Sequence, residues 1–418
     1  MTTQEICASA KNAAIEFATI ATHKKNGILK RLRTLILDGA TAILKANQID
    51  VDFALKNGRH EAFIDRLKLD LTRISQMADG IMKIISLPDP VGQITCEYEL
   101  SNGLLLRKVR SALGVVGIIF EARPNVSIDC AALCIKSGNG IVLRGSRESR
   151  SSVRLLTNFI KQALEENFVS PNLCGNIDSD DRADAITMLK QNDYIDVIIP
   201  RGGDKLKKLT FEEATMPVLA AAGGNCHMYI ADSADENMAV NLVLDAKLDR
   251  PATCNALETL LIDRKKSVEF IVRLLNALKN NDVEIRGTSE LNEIFPVVTI
   301  DSTEFYVEYE CKKIKVALVN NVKEAVDHIA QYGNGHSEAI VTSDEDEANF
   351  FIRHTDSAAV YVNASTRFTD GFEFELGAEI GISTQKFHAR GPIGLNELTI
   401  EKYVLNGSGQ TRGKKFFE

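Results

Sequence analysis

The sequence predicts an α/β protein with two α/β domains, each built on a parallel sheet, and a small β arm. Three observations carry that prediction. From Leu113 onward, apolar runs of strand length alternate with helix-length amphipathic stretches, the pattern of a parallel sheet covered by helices. A second alternating series starts at Ser233 and places Cys254 between a helix and a strand. Ahead of both lies Tyr98–Ser111, Y-E-L-S-N-G-L-L-L-R-K-V-R-S, where Asn-Gly between extended runs signals a hairpin in an otherwise helical region.

Size and composition narrow the function classes. A chain of 418 residues suggests two or three domains with cores that need no covalent staples. Hydrophobic content of 44% with 25% charge is ordinary for a soluble globular protein. The net charge is −8 without a basic run, which argues against a nucleic-acid partner. The longest apolar run, Ala112–Phe120, holds two glycines and falls far short of the ~20 residues of a membrane span. The start, M-T-T-Q-E-I-C-A-S-A-K, lacks a basic-then-apolar signal, and the eight cysteines are scattered without zinc spacing. The expectation is a cytoplasmic, reduced, metal-free protein with no membrane association.

Residues 3–57 alternate apolar and charged positions at helical spacing and predict two to three amphipathic helices. Residues 62–86 continue as helix until Pro88 and Pro90. The hairpin leaves an edge that usually needs a partner strand. Leu398–Leu405 is a second extended candidate, and the two segments together read as an oligomerisation arm; a small internal sheet is the alternative.

The first α/β series has strands at Gly114–Phe120, Ile141–Arg144 and Ile195–Ile199. Its helices are Ile128–Lys136, one ending near Asn167, Ala183–Leu189 and one from Lys205. Ligands of parallel sheets gather beyond the strands' carboxyl ends. Two of those ends read R-G-S-R and P-R-G-G, which makes Arg144, Ser146, Arg147, Gly202 and Gly203 candidates for holding an anion at a helix N-terminus. No G-x-G-x-x-G is present, and either turn also serves as an ordinary loop.

In the second series the helix Asp235–Lys247 runs into L-D-R-P-A-T-C-N-A-L-E-T-L-L-I at 248–262, where Pro251 stops it and Glu258–Ile262 leaves as a strand. Cys254 sits in that junction with Arg250 four residues upstream. A thiol is a useful nucleophile only as thiolate, which positive charge and amide donors favour. The bland alternative is a small buried hydrophobe. A helix over Lys265–Asn280 follows, with extended segments at Val283–Arg286, Val297–Ile300, Lys313–Val319 and Ala358–Val362 and a helix at Ala325–Ile329. His336 and Glu338 stand at the entrance of a further strand, the histidine either a substrate contact or a hydrogen-bonded structural residue. Thr366–Gly381 reads as a loop crossing back between domains, and the tail 410–418 as mobile.

Several stretches together resemble the gamma-glutamyl phosphate reductase (glutamate-5-semialdehyde dehydrogenase) family of the aldehyde dehydrogenase superfamily. They are G-V-V-G-I-I-F-E-A-R-P-N-V at 114–126, S-G-N-G-I-V-L-R-G at 137–145, I-I-P-R-G-G at 198–203, R-P-A-T-C-N-A-L-E-T-L-L at 250–261, V-D-H-I-A-Q-Y-G-N-G-H-S-E-A-I at 326–340 and F-E-L-G-A-E-I-G-I-S-T-Q-K-F-H-A-R-G-P at 374–392. Asn334 stands where the family usually has Ser or Thr. No kinase segment accompanies these motifs, so the resemblance is to the stand-alone reductase.

The resemblance implies an aldehyde dehydrogenase-like fold. Its parts would be an NADP-binding domain over 1–232, interrupted by the hairpin 98–111, and a catalytic domain over 233–365. A return segment would span 366–384, and the arm would combine 98–111 with 385–418. Carried over by position, Cys254 is the nucleophile and Asn125 the amide that meets the developing oxyanion. Glu308 falls near the glutamate that holds the nicotinamide ribose. Ala221, in A-A-G-G, replaces the general base of hydrolytic relatives. Arg147 falls near the position where NAD-preferring relatives place a glutamate, and an arginine there suits the 2′-phosphate of NADPH/NADP. Substrate candidates are Arg123, Arg250 and His336.

The implied reaction is NADPH-dependent reduction of L-glutamyl 5-phosphate in proline biosynthesis. Glutamate 5-kinase is a possible partner, and a homodimer or homotetramer the expected assembly. The rival readings are a CoA-acylating aldehyde dehydrogenase, which uses the same thioester logic, and a non-catalytic scaffold of the same fold.

Overall fold

The chain divides into two units in the computed structural model, which describes residues 1–413. One unit holds Met1–Ala220, Leu376–Ile380 and the chain from Ile393; the other holds Ala221–Glu375 and Gly381–Pro392. Residues 414–418, the end of the tail expected to be mobile, lie outside the described residues.

In the first unit three helices open the chain: α1 (Thr3–Phe17), α2 (Thr22–Asp38) and α3 (Ala40–Lys56). Thr2 and Glu5 cap α1 reciprocally, each side chain bonding the other's backbone N–H. The predicted continuous helix over 62–86 is instead two, α4 (Glu61–Leu67) and α5 (Leu71–Ser86). The buried Asn47 amide donates to the Leu67 carbonyl (2.9 Å) and accepts from Leu69 N (2.7 Å), which holds the chain extended there. Asp70 then caps α5 by accepting from Arg73 N.

The hairpin pairs β1 (Ile94–Glu99) with β2 (Leu105–Ala112), and Thr399–Asn406 adds to the other side of β2, all antiparallel. Its turn is not the two-residue Asn-Gly type. Leu100 and Leu104 close a longer loop, with Gly103 N donating to Leu100 O and Gly103 itself at φ +79°. Asn102 therefore sits inside a turn that ends in a left-handed glycine, the bulged alternative for hairpins.

The parallel sheet of this unit contains β3 (Val115–Phe120), β4 (Gly140–Arg144), β5 (Cys174–Asn176) and β6 (Val197–Arg201) in the order β5-β4-β3-β6. All six residues of β3 are buried, as expected for a strand covered on both faces. Helices α6 (Val126–Lys136), α7 (Arg150–Glu166), α8 (Arg182–Leu189) and α9 (Asp204–Glu213) alternate with the strands.

The second unit is built on seven parallel strands: β7 (Cys226–Ile230), β8 (Leu257–Asp263), β9 (Glu284–Gly287), β10 (Val298–Thr299), β11 (Lys313–Val319), β12 (Ser337–Val341) and β13 (Ala359–Val362). Their order is β10-β9-β11-β8-β7-β12-β13. Alternation along each strand splits the core in two. Met228, Ile230, Leu260 and Val316 pack with Val243 and Leu274 of the helices α10 (Glu236–Leu248) and α11 (Val268–Lys279). Tyr229, Leu261, Ala317 and Ile340 pack with Ala325 and Phe351 on the opposite face. No helix among the described residues is long and apolar enough to cross a membrane.

Candidate active site

In the first unit the candidate residues follow the carboxyl ends of the strands. Between β3 and α6 the backbone turns left-handed at Ala122 (φ +57°) and reaches Asn125, the residue just before α6. The Asn125 amide donates to Asp129 Oδ2 (2.9 Å), one turn along the helix, so one of its N–H groups is held and the other remains for a ligand. Burial pushes the Asp129 carboxyl up to about 6, opposed by the Asn125 hydrogen bond and by the charge of Arg201.

Beyond β4 and β5 lies a concave site lined by Gly145, Ser146, Arg147, Arg150, Asn176 and Asp178. Arg147 is exposed, with its guanidinium 4.9 Å from the centre of the Phe53 ring and 3.8 Å from Asp180. Arg150 is held more firmly, by Asp180 at 2.9 Å and by Asp178. Arg144 donates to Asp181 O (3.0 Å). The P-R-G-G turn behaves differently from a bare anion cradle: Gly203 N donates to Glu121 Oε2 (3.0 Å), and a Cβ at Gly202 would come within 2.6 Å of that oxygen.

In the second unit the candidates gather at the opposite edge, where the strands begin. Helix α10 ends at Leu248, Arg250 adopts φ +54°, and two successive turns (Thr253 N to Arg250 O, Ala256 N to Thr253 O) carry Cys254 into β8. A non-glycine residue in that region costs on the order of 1–3 kcal/mol and persists only where the surroundings over-determine it.

The surroundings do so here. Cys254 is half-buried, and Cys226 Sγ donates to its carbonyl oxygen (3.1 Å). Burial raises the Cys226 thiol well above its ordinary value, which keeps that donor protonated. Gly224 lies directly against the Cys254 carbonyl: a Cβ there would stand 1.4 Å from the oxygen. Gly224→Ala should therefore lower the unfolding free energy by at least about 1–3 kcal/mol, the cost of overpacking against rigid backbone. Thermal and denaturant melts of the variant beside the parent measure it, and an unchanged midpoint would show that the turn can move aside.

The A-A-G-G turn is fixed from two more sides. Gly224 N donates to Glu308 Oε1 (2.8 Å). Asn334 donates to Gly223 O (2.6 Å) and accepts from Asn225 N (3.1 Å), using two atoms where a shorter hydroxyl would have one. His336 is fully buried, its Nδ1 2.8 Å from Ser337 Oγ and 3.8 Å from Cys226 Sγ. Burial pulls its pKa down to about 4, so the ring is neutral at pH 7. Beneath it, Glu338 accepts from His227 N (2.7 Å), and burial raises that carboxyl well above its usual range. Arg123 and Arg250, the other substrate candidates, are both exposed.

The structure thus brings Cys254, Glu308 and the Asn334–His336 segment to one sheet edge of the second unit. Asn125, Arg144, Ser146, Arg147, Gly202 and Gly203 share one sheet edge of the first. Residues that sequence reasoning passed over are Asp129, Gly224, Asn225, Cys226 and Asn255. The adjacent pairs G-G and C-N were visible signals, but their partners lie far off in sequence.

Comparison with known proteins identifies the family. The model of the aldehyde dehydrogenase family matches residues 1–315. Gamma-glutamyl phosphate reductase of Carboxydothermus hydrogenoformans is 46% identical over 405 residues, covering 97% of this chain and 98% of that protein. The enzyme of the same name from Clostridium kluyveri is 45% identical, with 97% of each chain covered. The crystal structure of gamma-glutamyl phosphate reductase from Thermotoga maritima superimposes with a TM-score of 0.96 at 40% identity, over 99% of this chain and 100% of that one. An acetylating aldehyde dehydrogenase from Geobacillus thermoglucosidasius shares the fold at a TM-score of 0.71 and 16% identity. The chain belongs to the aldehyde dehydrogenase family and, within it, to the gamma-glutamyl phosphate reductases.

Proposed function

We propose that this protein catalyses the NADPH-dependent reduction of L-glutamyl 5-phosphate to L-glutamate 5-semialdehyde and phosphate, the second step of proline biosynthesis from glutamate. The observation that carries the reading is Cys254, accessible on a loop whose backbone is fixed by Gly224 and Cys226, with alanine rather than a carboxylate at position 221. Cys254 thiolate attacks the acyl carbon, the bond to phosphate breaks, and a thioester forms. Asn125 donates its remaining amide N–H to the oxyanion that develops in that step, held in orientation by Asp129. Ala221 supplies no base to activate water, so the thioester survives until it is reduced. The resulting hemithioacetal collapses, releasing the aldehyde and returning the thiolate.

The concave site beyond β4 and β5, where Arg147 and Arg150 stand beside Gly145, supports a place for the phosphorylated adenosine end of the cofactor. Arg144, Ser146 and Arg147 would hold the adenosine end and Glu308 the nicotinamide ribose; Gly202 and Gly203 would meet the pyrophosphate only if Glu121 gives up the Gly203 N–H. When bound, the cofactor supplies the hydride. Arg123 and Arg250 are the exposed cations offered to the substrate's carboxylate, with His336 supporting the Cys226 side of the site.

The three-stranded sheet exposes Ile94, Tyr98, Ile400, Tyr403 and Leu405, which supports self-association into a homodimer or homotetramer. An acyl phosphate is labile, so glutamate 5-kinase is the natural partner to deliver it.

Arg147 sets the cofactor preference in this reading. Arg147→Glu should lower the NADPH/NADH ratio of kcat/KM roughly ten- to a hundredfold, as loss of a charge-assisted contact to the 2′-phosphate implies. An unchanged ratio would remove Arg147 from the assignment.

The reaction itself is tested in reverse. The protein is mixed with pyrroline-5-carboxylate, which equilibrates with the semialdehyde, together with NADP⁺ and phosphate, and NADPH absorbance is followed. Turnover that requires phosphate supports the proposal. Turnover without phosphate indicates a hydrolytic dehydrogenase, and turnover only with CoA and another aldehyde a CoA-acylating one.

A further inference from the structure

Asn255, the residue after Cys254, is almost completely buried, and its side-chain amide is at full hydrogen-bonding capacity. Its Nδ2 donates to the carbonyls of Arg367 and Thr369, each at 3.0 Å. Its Oδ1 accepts from Thr253 Oγ1 (2.9 Å) and from Arg367 Nη1. The backbone is held as well, since Thr366 Oγ1 donates to Asn255 O (2.7 Å). The same Arg367 guanidinium reaches the start of the loop, where Nε and Nη2 donate to Asp249 Oδ2 at 3.2 and 3.0 Å. One side chain therefore ties Asp249 to Asn255, the residues on either side of the turns that carry Cys254. Its own backbone carbonyl completes the grip on Asn255. A planar fork with several donors suits that task, and an ammonium group does not.

We infer that Arg367 is a positioning residue for Cys254, acting through Asn255 and Asp249 to fix the loop on which the thiolate attacks. The inference rests on Cys254 being the nucleophile. Arg367 touches neither reacting atoms nor cofactor in that reading, so its loss should act on the chemical step and spare ground-state binding. A misplacement of about 1 Å in a reacting group can cost on the order of 10²-fold in rate. The left-handed Arg250 in the same loop makes the loop dependent on external ties.

The test uses the full chain in the phosphate-dependent reverse assay, with parent, Cys254→Ala, Arg367→Ala and Arg367→Lys proteins. Arg367→Ala should lower kcat about 10- to 100-fold, with KM for pyrroline-5-carboxylate and for NADP⁺ within about twofold of the parent. Millimolar ethylguanidinium should restore part of the lost kcat by filling the vacated fork, a rescue that a general loss of folding would not show. Arg367→Lys, which keeps the charge and removes the fork, should lose at least about fivefold in kcat at unchanged KM.

A kcat within twofold of the parent in Arg367→Ala overturns the inference, as does a loss that appears in KM or resists ethylguanidinium in folded protein. Should the alanine variant not fold, the lysine variant decides: parental kcat overturns the inference, and reduced kcat at constant KM supports it. Cys254→Ala separates the two readings. Activity retained in that variant removes the nucleophile assignment itself, whereas an inactive Cys254→Ala beside a parental Arg367→Ala removes only the role of Arg367.

Discussion

Cys254→Ala should abolish phosphate-dependent turnover in the reverse assay, with a loss of at least roughly 10³-fold, because no second nucleophile can form the acyl-enzyme. The surrounding structure should tolerate the change. Cys254 is half-buried, and its carbonyl and Asn255 make contacts that fix its loop and that the substitution leaves in place. The melting temperature should stay within a few degrees of the parent, so the loss reads as chemistry. Four buried cysteines do not offer a substitute. Cys130, Cys134, Cys174 and Cys226 are buried, and burial raises each thiol above its ordinary value. Residual activity above a few per cent would place the nucleophile elsewhere.

Asn125→Ala is expected to have the next largest effect, about 2.7–4 kcal/mol of lost transition-state stabilisation, or roughly 10²–10³ in kcat. Only an interaction stronger in the transition state than in the ground state produces that signature, so KM should change little. The variant also leaves Asp129 without its amide partner. That hydrogen bond holds the Asp129 carboxyl down against burial, so its removal moves the pKa further above about 6. The sign for stability follows from the direction. A carboxyl whose folded pKa lies above its unfolded value favours the folded state while protonated and loses that contribution as pH rises through the folded pKa. Asn125→Ala should accordingly lose stability more at pH 7–8 than near pH 5, measured by denaturant unfolding at each pH. Equal kcat in variant and parent would remove Asn125 from the oxyanion site whatever the stability result.

Much of this protein is determined by local sequence. The apolar run Val115–Phe120 is buried along its whole length, and a strand covered on both faces is written as such a run. Amphipathic spacing marked the opening helices, and Pro251 with the abrupt change of pattern after Lys247 marked the junction that carries Cys254. Local pattern marked that thiol as a candidate beside the alternative of a buried hydrophobe, and the asparagine of R-P-N-V was singled out only through the family resemblance.

Tertiary structure decided what those residues are held by. The helix break at 68–70 depends on Asn47, a residue 22 positions from Leu69, and no local breaker announces it. The hairpin used a bulged turn where Asn-Gly permitted a tighter one, a choice local sequence leaves open because both turns accept glycine at a left-handed position. Cys254 stands where a strand begins, as the helix-to-strand order around it already implied. Ligand sites of parallel sheets are expected beyond the carboxyl ends of the strands, where the candidate turns of the first unit lie, whereas Cys254, Gly224 and His336 all lie where strands of the second unit begin. That these strands run parallel, so that their starts share one end of the sheet, follows from pairing between distant segments. The same reason hid the clamp on Cys254. Asn255 and Arg367 are 112 residues apart, each unremarkable in its local pattern, and only the folded chain makes their hydrogen bonds.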